Sequence, residues 1–181
     1  MPSLLERIAQ GIDIFIEISG RLAAWTALAL VLVMANNVLL RYLFNTGTVA
    51  LQELEWHLMS PLTLLCIAYT VKHEGHVRVD IFFGSLPLRV QQAIDLFSAA
   101  CVLAFAVIVI RLSIPYVMQS YAIGEGSPDP GGLPDRYIIK AMIPAGFALL
   151  AIQSLGAVLR AIDAFRTGRH DTPQMTSHAV E

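Results

Sequence analysis

The residue types that do redox or metal chemistry are few in this chain and badly spaced for it. His57, His73 and His76 are the histidines near apolar segments. Haem ligation across a helical bundle needs imidazoles from facing segments. On one helix, His57 and His73 would stand about 24 Å apart at 1.5 Å per residue, and the other long apolar runs contain no histidine. His73, Glu74, His76 and Asp80 have metal-ligand chemistry, but Gly75 interrupts them and their polarity suits a solvated turn at a membrane edge. Cys66 and Cys101 sit inside apolar runs and read as buried, unpaired thiols. No nucleophile with its base, phosphate-cradling loop or selectivity filter is legible. The expectation is a protein with no catalytic residues, no metal and no cofactor.

The elements that carry these residues belong to a membrane. Of 181 residues, 56% are hydrophobic and 14% charged, against roughly 25% charged in an ordinary soluble domain. A net charge of −2 provides no basic footprint for nucleic acid. Leu22–Leu40 and Ala141–Leu159 contain no Asp, Glu, Lys or Arg, and each meets the ~18–20 residues a bilayer crossing needs. Trp56–Val71 is shorter, and Leu96–Ile110 continues past Arg111; both span if Lys72, His73 and Arg111 snorkel to the headgroups. No run alternates in the manner of a barrel strand, so helices are expected. The fold class is therefore an all-α integral membrane protein with four transmembrane helices. The spans are placed at 22–43, 54–73, 92–118 and 139–161 within a membrane domain of residues 21–162, followed by a polar tail at 163–181. The first span starts after Arg21 and lacks a small-residue cleavage site, so it is expected to remain as an anchor. Residues 1–20 form an amphipathic segment. Leu4, Leu5, Ile8, Ile12, Phe15 and Ile16 share one face, which fits either a helix lying in the lipid interface or an extension of the first span.

Cation placement sets the expected orientation. Four spans put Arg7, Arg21, Lys72, Arg78, Arg89, Arg160, Arg166 and Arg169 on one side, and Arg41, Arg111, Arg136 and Lys140 on the other. Eight against four predicts both termini in the cytoplasm. Glu53 and Glu55 then stand at the outer mouth of the second span, either as a solvated helix start or as ion partners of Arg41. No Asp or Glu lies centrally in any span, unlike a small proton-coupled exporter. Asn36, Asn37, Ser60, Thr63, Gln153 and Ser154 read as helix-packing contacts, with a substrate pathway as the minority reading. The outer loop "GEGSPDPGGLPDR" interleaves glycine with proline, which predicts a fixed, turn-rich path. These features describe a membrane subunit without chemistry of its own, or a self-contained homo-oligomer such as a channel or regulatory protein.

Taken in order, "RYLFN", "LQELEWHL", "HEGHVRVDIF" and "GEGSPDPGGLPDRYIIKAMIPAGFALLAIQSL" resemble the small permease subunit (Q-type, DctQ-like) of tripartite ATP-independent periplasmic (TRAP) transporters over most of residues 38–160. The resemblance implies a small scaffold subunit of a sodium-coupled, binding-protein-dependent importer of an organic acid or related solute, placed in the bacterial inner membrane. Its implied partners are a large elevator-type permease subunit (M-type), a periplasmic substrate-binding protein and membrane lipid, with no nucleic acid. Arg41, Glu53, Glu55, His76, Arg78 and Asp80 are the candidate subunit-interface residues. Glu125, Ser127, Asp129, Gly131 and Gly132 are the candidate docking loop for the binding protein, with a plain connector as the alternative.

Overall fold

The computed structural model describes residues 4–73 and 86–167, and every regular element in them is a helix. α1 spans Leu4–Leu43, α2 Val49–Lys72, α3 Leu88–Ala122 and α4 Tyr137–Thr167. All four extend past the expected spans at one or both ends; α2 starts five residues before the expected 54 and ends one residue short of the expected 73. The tail beyond 167 lies outside the described residues, as do His76, Arg78 and Asp80 of the "HVRVDI" stretch.

α1 runs for 40 residues without a break, about 60 Å at 1.5 Å per residue. Residues 4–18 are its first turns and not a separate interfacial helix. A helix neighbour takes part of the apolar face: Ile16 is buried, with Ala9 and Ala23 seven residues to either side, and Ile12 lies against Gly156 of α4, while Ile8 and Phe15 of the same face stay exposed. The helix stops where Asn45 turns left-handed at φ 51°. Asparagine accepts that conformation at little cost, and the Thr46 N–H then returns to the Leu40 carbonyl at 3.2 Å. α2 begins at a side-chain cap, Thr48 Oγ1 accepting from the Leu51 N–H at 3.4 Å.

The helices alternate in direction. Asn37 meets Glu55 and Glu17 meets Lys72, so α1 and α2 are antiparallel. The Tyr121–Tyr137, Phe105–Phe147 and Arg89–Phe165 contacts make α3 and α4 antiparallel. Among the described residues α4 is the hub, packing on α1, α2 and α3, whereas α3 packs extensively on α4 alone. The seam of α3 follows a heptad. Gln92, Ala106, Ser113 and Ser120 are buried at separations of seven or fourteen, with Leu96, Leu103, Ile110 and Val117 half-buried between them. Small residues at this spacing let two membrane helices approach closely. Gly146 does the same for α4 on α2, since a Cβ there would stand 2.5 Å from the Leu64 carbonyl oxygen.

Three helices, α1, α3 and α4, have the length and apolarity to cross a membrane. α2 has 24 residues, about 36 Å, against ~30 Å of hydrocarbon. Trp25, Phe97, Phe105 and Leu112 point outward from the bundle, the inside-out distribution of a protein whose solvent is lipid. Cys66 is half-buried, and Cys101 is exposed on α3. The expectation of two buried thiols therefore fails at Cys101, because α3 buries only its one seam.

Candidate functional site: the two polar ends of the bundle

Polar contacts collect at the two ends of the bundle. At the end bearing the 123–136 loop, the central group is the Glu53 carboxylate, 8% exposed. It sits in the first turns of α2, one residue before the expected span. Ser127 Oγ donates to its Oε1, the Leu133 N–H to its Oε2 at 2.6 Å, and Arg136 Nη2 to its Oε1 at 3.5 Å. These donors hold the carboxyl below its ordinary pKa, the Ser127 hydroxyl first and the Leu133 N–H second. One side chain of α2 thus fastens three points of the loop.

The loop is built to meet it. Gly124 and Gly131 have φ of 58° and 81°, and Asp135 has φ 61°, values that favour glycine and, less strongly, Asp. The Ser127 N–H donates to the Leu133 carbonyl at 3.1 Å and the Gly132 N–H to the Asp129 carbonyl at 3.1 Å, closing the turn. The Asp129 N–H donates to Ser127 Oγ at 3.1 Å. A Cβ on Gly132 would fall on Ser127 and within 2.7 Å of Glu53 Oε2. Beside this clamp, Lys140 Nζ donates to Glu125 and lies 4.2 Å over the Tyr116 ring. The Lys140 ammonium lowers the Glu125 pKa, and the Ser120 hydroxyl adds to the effect.

The remaining candidates fall apart into separate surroundings. Glu55 Oε1 accepts from Asn37 Nδ2 at 2.9 Å, and Arg41 is exposed at the end of α1. With Glu53 held by the loop and Glu55 by α1, neither expected reading of the pair, a solvated helix start or an ion pair with Arg41, describes them. His57 Nδ1 donates to the Glu53 carbonyl at 2.7 Å. Glu125, Ser127, Asp129, Gly131 and Gly132 lie on one loop, but Ser127 and Gly132 face inward to Glu53 while Asp129 and Gly131 are exposed.

The opposite end carries a second network that sequence reasoning missed. Glu17 of α1 accepts from Lys72 Nζ at 2.5 Å, His73 Nε2 at 2.9 Å and Arg21 Nε at 3.0 Å. Asp13 accepts from Arg160 Nη1 at 2.9 Å. Gln92 Nε2 donates to the Ala164 carbonyl at 3.2 Å, and the Arg89 guanidinium lies 5.1 Å from the centroid of the Phe165 ring. The charges on the polar side of residues 4–18 were a signal that α1 continues as a helix facing other helices. Their partners, 55 to 147 residues away, were not legible. Among the described residues, no group of three or more His, Cys, Asp or Glu could hold a metal, and His73 of the suspected cluster is engaged by Glu17.

Two polar ends separated by apolar helices, with their large side chains turned outward, define a multi-pass helical membrane protein whose specific chemistry lies in contacts between elements. The family of tripartite ATP-independent periplasmic transporters, DctQ component, matches residues 30–164, and the chain belongs to it as the small permease subunit of a TRAP transporter. It is 27% identical to the C4-dicarboxylate TRAP transporter small permease protein DctQ of Vibrio cholerae, over 84% of this chain and 73% of that one. The protein of the same description from Pseudomonas aeruginosa is 26% identical over 93% of this chain and 95% of its own. The isethionate TRAP transporter permease protein DctMQ of Oleidesulfovibrio alaskensis is 26% identical over 71% of this chain but only 21% of its own length.

Proposed function

We propose that this subunit is the fixed scaffold of a sodium-coupled importer of a small organic acid, in the bacterial inner membrane with both termini in the cytoplasm. The observation that carries this reading is the placement of its polar groups. Among the described residues they tie helix to helix and loop to helix, and none forms a carboxylate-lined path between the two ends. Sodium and substrate sites are then the task of a large, elevator-type permease partner. The fused relative, four-fifths of which extends beyond the match, supports such a partner. The C4-dicarboxylate and isethionate named for the relatives are both organic anions, which supports that substrate class. In this reading all four helices span, the Glu53-clamped loop faces the periplasm, and its exposed Asp129 and Gly131 meet the substrate-binding protein. Arg78 and Asp80 would pin the cytoplasmic edge to the large subunit, together with His76, and Arg41 would add to the interface at the outer end.

The test is purification of the tagged chain from native membranes in mild detergent, with mass spectrometry of its companions. One large multi-span partner at one-to-one stoichiometry is expected. A homo-oligomer without such a partner refutes the scaffold. Glu125→Gln with Asp129→Asn should weaken binding-protein affinity; unchanged affinity and transport would make the loop a connector.

A further inference from the structure

Arg111 is an exposed cation on an apolar helix surface, without an ion pair among the described residues. Its depth can be read from its neighbours. Tyr116, with Lys140 over its ring, stands with Tyr121, Tyr137 and Trp56 at the loop-bearing end, where aromatic rings mark the lipid–water boundary. Arg111 is five residues along α3 from Tyr116 towards the opposite end, about 7.5 Å inside that boundary. Side chains on a helix tilt towards its N-terminus, and the N-terminus of α3 lies at the far end, beside Phe165. The Cα–Cβ bond of Arg111 therefore points inward, away from the nearest headgroups. Val107, Ile108, Ile114 and Met118 surround it on the same face, all exposed. Among the described residues no helix covers this face, since α3 packs extensively on α4 alone, through its other seam. A cation held there calls for a desolvated anion at the same depth.

We propose that the α3 face centred on Arg111 is the docking surface for a membrane helix of the large permease partner, which brings a carboxylate to the Arg111 guanidinium. This inference rests on the scaffold reading above and assigns its membrane-embedded contact. A guanidinium suits the role because its planar fork pairs with a carboxylate through two parallel hydrogen bonds. Reaching a lipid phosphate would require the side chain to turn back against that tilt.

The tagged chain is co-expressed with the large subunit as wild type, Arg111→Leu, Arg111→Met and Arg111→Lys, and the large subunit recovered in mild detergent is quantified. The two apolar variants should recover at least ten-fold less, because they strand the partner's carboxylate in lipid. Lysine should fall between. The isolated chain should melt no lower with leucine than with arginine. Full recovery with leucine overturns the proposal. A benzophenone amino acid at Ile108 or Ile114 of the otherwise wild-type chain provides the measurement that needs no folded Arg111 variant. Photo-adducts with the large subunit support the proposal, and adducts with lipid alone overturn it. Should the wild-type chain recover no large subunit at all, the scaffold reading falls as well.

Discussion

Gly146→Ala tests the closest helix crossing in the bundle. The new methyl would lie 2.5 Å from the Leu64 carbonyl oxygen and 2.8 Å from its carbonyl carbon and Cβ. Ordinary contact begins at 3.4 Å, so α2 and α4 must part by up to about 0.9 Å, a gap that forfeits a quarter to a half of each dispersion contact it opens. The obstacle is backbone and cannot rotate away. Overpacking of this kind costs about 1–3 kcal/mol, and the better helix propensity of alanine returns at most ~1 kcal/mol. The net expectation is a loss of about 1–2 kcal/mol, or roughly 2–8 °C in Tm for a chain of this size. Thermal unfolding in detergent, followed by circular dichroism, reads it. Two other glycines calibrate the scale. Gly11→Ala meets nothing within 4 Å and should gain up to ~1 kcal/mol from propensity alone. Gly156→Ala meets the Ile12 side chain, Cγ2 at 3.2 Å with Cδ1 at 3.5 Å and Cβ at 3.6 Å, so α1 needs to give by only a few tenths of an ångström, and the propensity gain should hold the change within about 1 kcal/mol of wild type. If Gly146→Ala melts at or above wild type while Gly11→Ala behaves as expected, the α2–α4 approach is not the tight contact described.

Glu53→Ala removes the acceptor shared by Ser127, Leu133 and Arg136; amide hydrogen exchange across residues 124–136 should accelerate while the helices stay protected, and unchanged exchange would refute the clamp. The same loop should be acid-sensitive. Glu53 and Glu125 both have pKa values lowered from 4.5 in the folded state, so their stabilisation is complete above that value and is lost as pH falls through the depressed folded values. Loop protection, corrected for the intrinsic pH dependence of exchange, should hold steady from neutral pH down to roughly pH 5 and decline below about pH 4; a decline near pH 6 to 7 would point to a histidine instead. Asp13→Ala breaks the Arg160 pair, whose side chains are about one-third exposed, and should cost under ~1 kcal/mol in thermal unfolding; a larger loss would place that pair in a drier setting.

The apolar windows were legible because hydropathy reports what must face lipid, and Leu22–Leu40 and Ala141–Leu159 both lie inside helices. Helix ends were not, since α1 and α3 continue past the apolar windows through turns of mixed polarity, where hydropathy has little to register. Residues 4–18 show the same limit from another side. Their apolar stripe was visible, but Ile16 suits lipid and a helix groove equally well, and only the neighbour decides. Glu53 and Glu55 are identical in type and two residues apart, hence on different faces of α2. One meets a loop 74 residues away and the other meets α1. The turn-rich character of the 123–136 loop followed from its glycines and prolines. Its attachment to Glu53 is a tertiary fact that no local pattern encodes.

That α4 touches every other helix has a consequence for biosynthesis. It is the last of the four to be made, so α1 and α2 enter the bilayer with only each other to pack on, and α3 before the element it packs on exists. α3, with no other extensive contact, waits as a lone span until its C-terminal neighbour follows it. Insertion and consolidation are therefore separate events for this subunit. A chain truncated before Tyr137 should still reach the membrane, yet present to the quality-control proteases an α1–α2 pair beside an unpartnered α3.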